Sequence, residues 1–166
     1  MPAPDSSEFT LELEWESKLA FTVRWDLPDA PGLFTDEPPA LGGSGRGPNP
    51  SRMIVAGVAN CLASSLMFCL QKVRADVKDM RIRARGTITR SPEGRLRLTH
   101  IRVEPLVTMP ADEQVRLARC VGMFEDFCIV TEAVRDGVPI DVQVMLVDEL
   151  GRETPMEARV RKDGQA

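Results

Sequence analysis

The eighteen residues from Met53 to Leu70, MIVAGVANCLASSLMFCL, carry no charge, and no other stretch constrains the fold so strongly. A run of about 18 apolar residues is where a membrane span becomes arguable. Gly57, Asn60, Ser64 and Ser65 interrupt this run, basic residues flank both ends, and no second run of the kind follows. A helix that is apolar nearly all round is equally what the centre of a globular core requires, and the sequence is read that way, with no membrane partner. Asn49 is a favoured N-cap, and Pro50 suits the first helical position because no backbone donor is lost there. The spacing predicts a helix from Asn49-Pro50 to about Val73.

The flanking chain is built to cover that helix. Phe9, Leu11, Leu13 and Trp15, then Leu19, Phe21, Val23 and Trp25, alternate with polar residues around Glu16-Ser17-Lys18, which predicts a β-hairpin with one buried face. Pro28 to Pro50 is rich in proline and glycine and is expected to be a long irregular loop of the kind that often carries function. Alternation resumes over Lys78–Thr89, with Met80, Ile82, Ala84 and Ile88 on one side and Arg81, Arg83, Arg85 and Thr87 on the other. A turn at Ser91-Pro92-Glu93-Gly94 leads into Arg95–Val107, completing a second hairpin with a basic face. His100 shares parity with Leu96 and Leu98 and is expected to be a partly buried structural histidine. Asp112 and Glu113 suit a helix start. Leu117, Val121, Phe124 and Cys128 then recur at helical spacing, placing Cys128 at the inner end of a second helix. A final strand is expected over Val138–Val147. One domain spans residues 1–166, with a core over about 9–148 and a charged, loosely held tail over 151–166.

Composition limits the function classes. The chain of 166 residues is 43% hydrophobic and 28% charged, which fits one soluble globular domain. A net charge of -4 argues against nucleic acid as a partner, since phosphate binding needs a basic face. The first residues lack the basic-then-apolar pattern of a secretory signal, so a cytoplasmic setting is expected. There, four cysteines are expected to be reduced, catalytic or simply buried rather than paired structurally. With one histidine and no CxxC or HxxxH pair, no metal site is expected and no cofactor is implied.

A cysteine on an apolar helix is ordinarily a small core residue, and Cys69 and Cys120 are read so. Cys61 differs in its neighbours. Ser64 and Ser65 lie one helical turn after it and Gly57 and Val58 one turn before, leaving space for a substrate beside a thiol.

The loop glycines, then Gly47-Pro48-Asn49-Pro50 opening a long apolar helix, then the small residues Ala56-Gly57-Val58-Ala59-Asn60 before Cys61, together resemble the OsmC/Ohr family. Phe127-Cys128 followed by Gly137-Val138-Pro139-Ile140 completes the pattern, which extends over roughly Phe21 to Val147. The resemblance implies an α+β fold in which two long central helices are enclosed by antiparallel sheets of an intertwined homodimer. It also implies a thiol peroxidase acting on organic hydroperoxides, with Cys61 as the peroxidatic and Cys128 as the resolving cysteine, and an external dithiol as reductant. In that chemistry the Cys61 thiolate attacks the distal peroxide oxygen and becomes a sulfenic acid, which Cys128 converts to a disulfide.

Only a thiolate is nucleophilic, and burial raises a thiol's pKa, so an activator is required. Cys61 sits mid-helix, beyond the reach of its own helix dipole, and a positive side chain is expected to act instead. The family supplies an arginine held by a glutamate that directly follows the Asn-Pro pair. Here Ser51 stands at that place, followed by Arg52, and Ile129 replaces the family's proline after the second cysteine. Arg24, Arg46 and Arg52 are the candidate activators. Arg52 lies nine residues before Cys61, nearly opposite on the helix and roughly 13 Å away along its axis, so it acts only across a dimer interface or after unwinding of the first turn. The alternative reading is a non-enzymatic dimer of the same fold that binds an apolar small molecule in its cleft.

Overall fold

The computed structural model describes residues 6–140, 142–147 and 152–156. Its element order is mixed α and β, with two compact units, 1–132 and 133–166.

In the first unit, β1 (Leu11–Ser17) and β2 (Ala20–Trp25) form the expected antiparallel hairpin, pairing Leu13 with Val23 and Trp15 with Phe21. Lys18 takes the left-handed conformation, φ 50°, that closes the turn. The loop after it contributes more than expected: β3 (Leu33–Thr35) adds a third strand against β2, with Thr22 opposite Phe34. Beyond β3 the loop is held by a buried carboxylate. Asp36 Oδ2 accepts the backbone N–H groups of Ser44 (3.0 Å) and Arg46 (3.2 Å). Gly43 passes so close that a Cβ there would lie 1.9 Å from the Glu37 carbonyl oxygen, so no larger residue fits without moving backbone.

This loop delivers Asn49 to the start of α1 (Pro50–Lys72). The Asn49 carbonyl and side-chain oxygens both accept the Arg52 N–H, and its Nδ2 donates to Glu37 Oε2 (3.3 Å), so helix start and loop share one polar cluster. By length and composition α1 is apolar enough to cross a membrane. It nevertheless packs as a core helix, burying Val58, Leu62, Leu66 and Leu70, an i, i+4 stripe. Each of those side chains contributes about 1.5–3 kcal/mol by leaving water.

The stripe meets β4 (Asp79–Arg90) and β5 (Leu96–Thr108), a long two-stranded ribbon. Met80, Ile101, Val103 and Val107 line its inner face. One bulge changes the expected parity. Ile88 pairs with Leu98, but Thr87 pairs with His100, so Thr99 is extra and every later β5 residue changes face. His100 therefore leaves the leucine side and is exposed, correcting its expected burial.

The second long helix is also different. Its stretch divides into α2 (Gln114–Val121), a 3-10 turn at Glu125–Phe127, and α3 (Ile129–Asp136). Gly122, a poor helix former, ends α2. The buried residues are Cys120, Phe124, Cys128 and Thr131, while Val121 points outward and is exposed. The inward face thus runs through Cys120 in place of Val121. Cys128 opens α3 instead of closing a helix, its carbonyl accepting the Glu132 N–H at 3.2 Å.

In the second unit, β6 (Val144–Val147) pairs antiparallel with β7 (Glu153–Met156). The strand expected over Val138–Val147 is confined among described residues to β6. Part of the expected loose tail forms β7, and the remainder of 151–166 lies outside the described residues apart from Arg152.

Candidate functional site: a thiol pair at a helix start

Four cysteines bridge α1 and the α2–α3 stretch in two pairs. Cys69 and Cys120 form a disulfide, with Cα atoms 5.6 Å apart, which corrects the expectation that both are simple core thiols. Their proximity follows from the inward turn of Cys120, which helical spacing through Val121 concealed. Cys61 and Cys128 remain free, the first partly exposed and the second wholly buried.

The free pair is close: Cys61 packs against the core cluster that contains Cys128, and the Cys128 side chain acts on the Cys61 thiol. Cys128 Sγ in turn lies 2.8 Å from Thr131 Oγ1. The backbone amides of Val130 and Thr131 lie near enough to Cys61 to favour its charged form. These belong to the first turn of α3, whose amides have no partner within the helix. An anion beside them is stabilised by both hydrogen bonds and dipole. Helix-dipole help for Cys61, excluded when only its own helix is considered, therefore comes from another helix whose start Cys128 defines. Sequence reasoning missed Val130 and Thr131. The available signal was Cys128-x-x-Thr131 ahead of a helical turn, a spacing like that of a cap.

Burial pushes the Cys61 thiol above its ordinary range, and the hydrogen bond and charge of Cys128 add to the rise. The Val130 and Thr131 amides oppose it. A resting Cys61 thus keeps its proton, with two nearby amides that favour the charge it develops.

The remaining candidates are engaged elsewhere. Arg24 pairs with Glu14 at 2.9 Å on the exposed hairpin. The Arg46 guanidinium lies 5.0 Å from the Phe34 ring centroid. Arg52 Nη1 donates to Asn49 Oδ1 at 3.1 Å, and with Ser51 it lines a cavity of about 400 Å³ between α1 and the ribbon. A larger, mostly apolar cavity of about 580 Å³ lies against the start of α1, lined by residues including Leu13, Phe21, Trp25, Met53 and Ile54. Ile54 and Cys61 are seven residues apart, which puts them on one helix face. No cluster of metal-ligating side chains occurs among the described residues.

The family model described as OsmC-like protein matches residues 43–143. The fold is similar to that of an OsmC-like protein of unknown function from Vibrio cholerae, at a TM-score of 0.65 and 16% identity, covering 77% of this chain and 94% of that one. It is also similar to an organic hydroperoxide resistance protein OsmC from Legionella pneumophila, at a TM-score of 0.61 and 18% identity, covering 78% and 92%. The organic hydroperoxide resistance protein OhrB of Bacillus subtilis aligns at a TM-score of 0.53 and 20% identity, covering 78% and 93%. Among curated proteins, none matches the chain by sequence.

Proposed function

Because the chain belongs to the OsmC-like protein family, we propose that it is a thiol peroxidase that reduces organic hydroperoxides through Cys61 and Cys128. The observation that supports this reading is the packing of free Cys61 against the cluster that holds free Cys128 at the start of α3. The names of the Legionella and Bacillus proteins, both organic hydroperoxide resistance proteins, agree with it.

In this reading Cys61 loses its proton, and the thiolate, held by the Val130 and Thr131 amides, attacks the distal oxygen of ROOH. The O–O bond breaks, ROH leaves with the proton, and Cys61 becomes a sulfenic acid. The Cys128 thiol then attacks the Cys61 sulfur, water departs, and a Cys61–Cys128 disulfide forms. Cys128 is wholly buried and Cys61 partly exposed, so an external dithiol regenerates the pair by attacking Cys61 and releasing the Cys128 thiolate. A cytoplasmic setting supplies such dithiols. The working unit is a homodimer, because a single chain leaves Leu11, Leu13 and Trp15 of β1 exposed on the apolar side of the hairpin. A partner subunit is the remaining source of an activating arginine, with Arg24, Arg46 and Arg52 as its candidates.

One equivalent of cumene hydroperoxide is expected to consume two thiols per chain and to link Cys61 to Cys128 in peptide maps. Persistence of both thiols in folded protein would refute the reading.

The apolar cavity beside α1 and the loss of the family's carboxylate at Ser51 support a second reading, a non-enzymatic dimer that binds an apolar small molecule. A Cys61→Ser variant separates the two. Ligand binding survives that change, whereas peroxide turnover does not.

A further inference from the structure

The four cysteines form two rungs of one ladder. Cys61 and Cys69 are eight residues apart on α1; Cys120 and Cys128 are eight residues apart on the stretch that packs against it. The pairing is antiparallel, Cys61 with Cys128 and Cys69 with Cys120. Each rung has the same asymmetry. The α1 cysteine is partly exposed, and its partner, Cys120 or Cys128, is fully buried.

We propose that the Cys69–Cys120 disulfide is a second redox centre, reducible at Cys69, that clamps the Cys128 segment to α1 and is energetically coupled to the Cys61/Cys128 pair. The proposal deepens the peroxidase reading but needs only that Cys61 and Cys128 can form a disulfide.

Eight helical residues separate the rungs by about 12 Å, so sulfur cannot pass directly from one to the other. Coupling is carried by the chain between them. From Cys120 to Cys128 that chain is not a continuous helix: it is broken at Gly122 and passes through a 3-10 turn. Its buried anchors are Phe124 and the cysteines themselves. With Cys69 bonded to Cys120, one end is fixed and Cys128 is held beside Cys61. With the bond open, that end is released, and the Cys61–Cys128 closure must supply the lost order.

The opening step balances as ordinary thiol–disulfide exchange. A monothiol such as glutathione attacks the partly exposed Cys69 as its thiolate, and Cys120 leaves as a thiolate that takes up a proton. A second thiolate attacks the mixed disulfide, forming glutathione disulfide and the Cys69 thiolate. Two electrons enter the protein and two glutathiones are oxidised.

Protein alkylated under denaturing conditions without reductant should label at two of its four cysteines, with Cys69 and Cys120 linked in peptide maps. Equilibration in glutathione redox buffers, followed by acid quenching and mapping, then gives an equilibrium constant for each pair. In a Cys69→Ala/Cys120→Ala variant, the constant for closing Cys61–Cys128 should fall by roughly 5- to 150-fold, the usual range of coupling between sites. By reciprocity, a Cys61→Ser/Cys128→Ser variant should lower the constant for Cys69–Cys120 by the same factor, which supplies the measurement if the first variant does not fold. Absence of a Cys69–Cys120 link at every glutathione ratio, or unchanged constants in the variants, would overturn the proposal. Inertness toward cumene hydroperoxide would count against the peroxidase reading alone.

Discussion

Cys128 Sγ and Thr131 Oγ1, both buried, lie 2.8 Å apart at the start of α3, while the amide of the same threonine lies near Cys61 and favours its charged form. One residue thus bonds to Cys128 by its side chain and acts on Cys61 by its backbone. Thr131→Val keeps the shape and the amide but deletes the hydroxyl. Unfolding in denaturant should show a loss of about 1 kcal/mol, the net worth of one buried hydrogen bond. Reaction of Cys61 with hydroperoxide should stay within about twofold of wild type, because the amide donors remain, whereas closure with Cys128 should slow. An equal loss in both steps would show that the hydroxyl acts on Cys61 as well.

The protonation of Cys61 follows from its surroundings with a definite sign. Burial and then Cys128 raise its pKa, against the opposing amides. The alkylation rate of Cys61 should therefore keep climbing with pH beyond about 8.5, where an ordinary thiol has reached its midpoint. Cys128→Ala removes two of the raising influences and should move the midpoint down. The folded state holds the proton more tightly than the unfolded chain. Stability from this group is accordingly complete below the ordinary thiol pKa and is lost as pH rises through the folded one. A midpoint below 8 in wild-type dimer would instead reveal a cation delivered by the partner.

Two glycines make opposite predictions. At Gly43 an added Cβ would meet the Glu37 carbonyl oxygen at 1.9 Å and Asp36 Oδ1 at 2.7 Å, so Gly43→Ala must displace the loop that Asp36 organises. A loss of about 3 kcal/mol, the upper range for overpacking, is expected in urea unfolding. At Gly57, in the middle of α1, nothing lies within 4 Å. Gly57→Ala should stabilise the helix by about 0.5–1 kcal/mol. A loss there would mean that a second copy packs against this face.

These outcomes track what local sequence can encode. The start of α1 was legible because Asn49 and Pro50 act within one turn of themselves, and the helix runs from Pro50 to Lys72 much as its apolar pattern requires. Both hairpins were legible for the same reason, since alternation and turn residues are local. The bulge at Thr99 was not, because a single extra residue leaves the alternation of each half intact and is visible only in the pairing with Thr87 and Ile88. The inward turn of Cys120 is not legible because Val121 is the more apolar residue; only its partner 51 residues earlier in the chain, Cys69, decides which one faces inward. The family resemblance led to Cys61 and Cys128 and the backbone contacts of Val130 and Thr131 stayed hidden, because a helix start is an anion site only where tertiary packing brings it to an anion.

The uncovered side of the first hairpin gives the last prediction. Leu11, Leu13 and Trp15 alternate along β1 as residues of a buried face do, yet Leu13 is 55% and Trp15 68% exposed in a single chain. Apolar side chains at that exposure next to the cavity lined by Leu19, Phe21 and Trp25 make a continuous patch of the kind that marks an interface. Leu13→Glu places a charge in the middle of it. The substitution buries nothing in the isolated chain, so thermal unfolding of dilute protein should change by less than about 0.5 kcal/mol, as for other surface sites. In a dimer that closes over β1, the same charge would be desolvated without a partner, and association should weaken by at least tenfold. Sedimentation velocity across a concentration series reads this directly. Wild type is expected to sediment as a dimer and Leu13→Glu as a monomer, and identical profiles for the two would remove β1 from the interface.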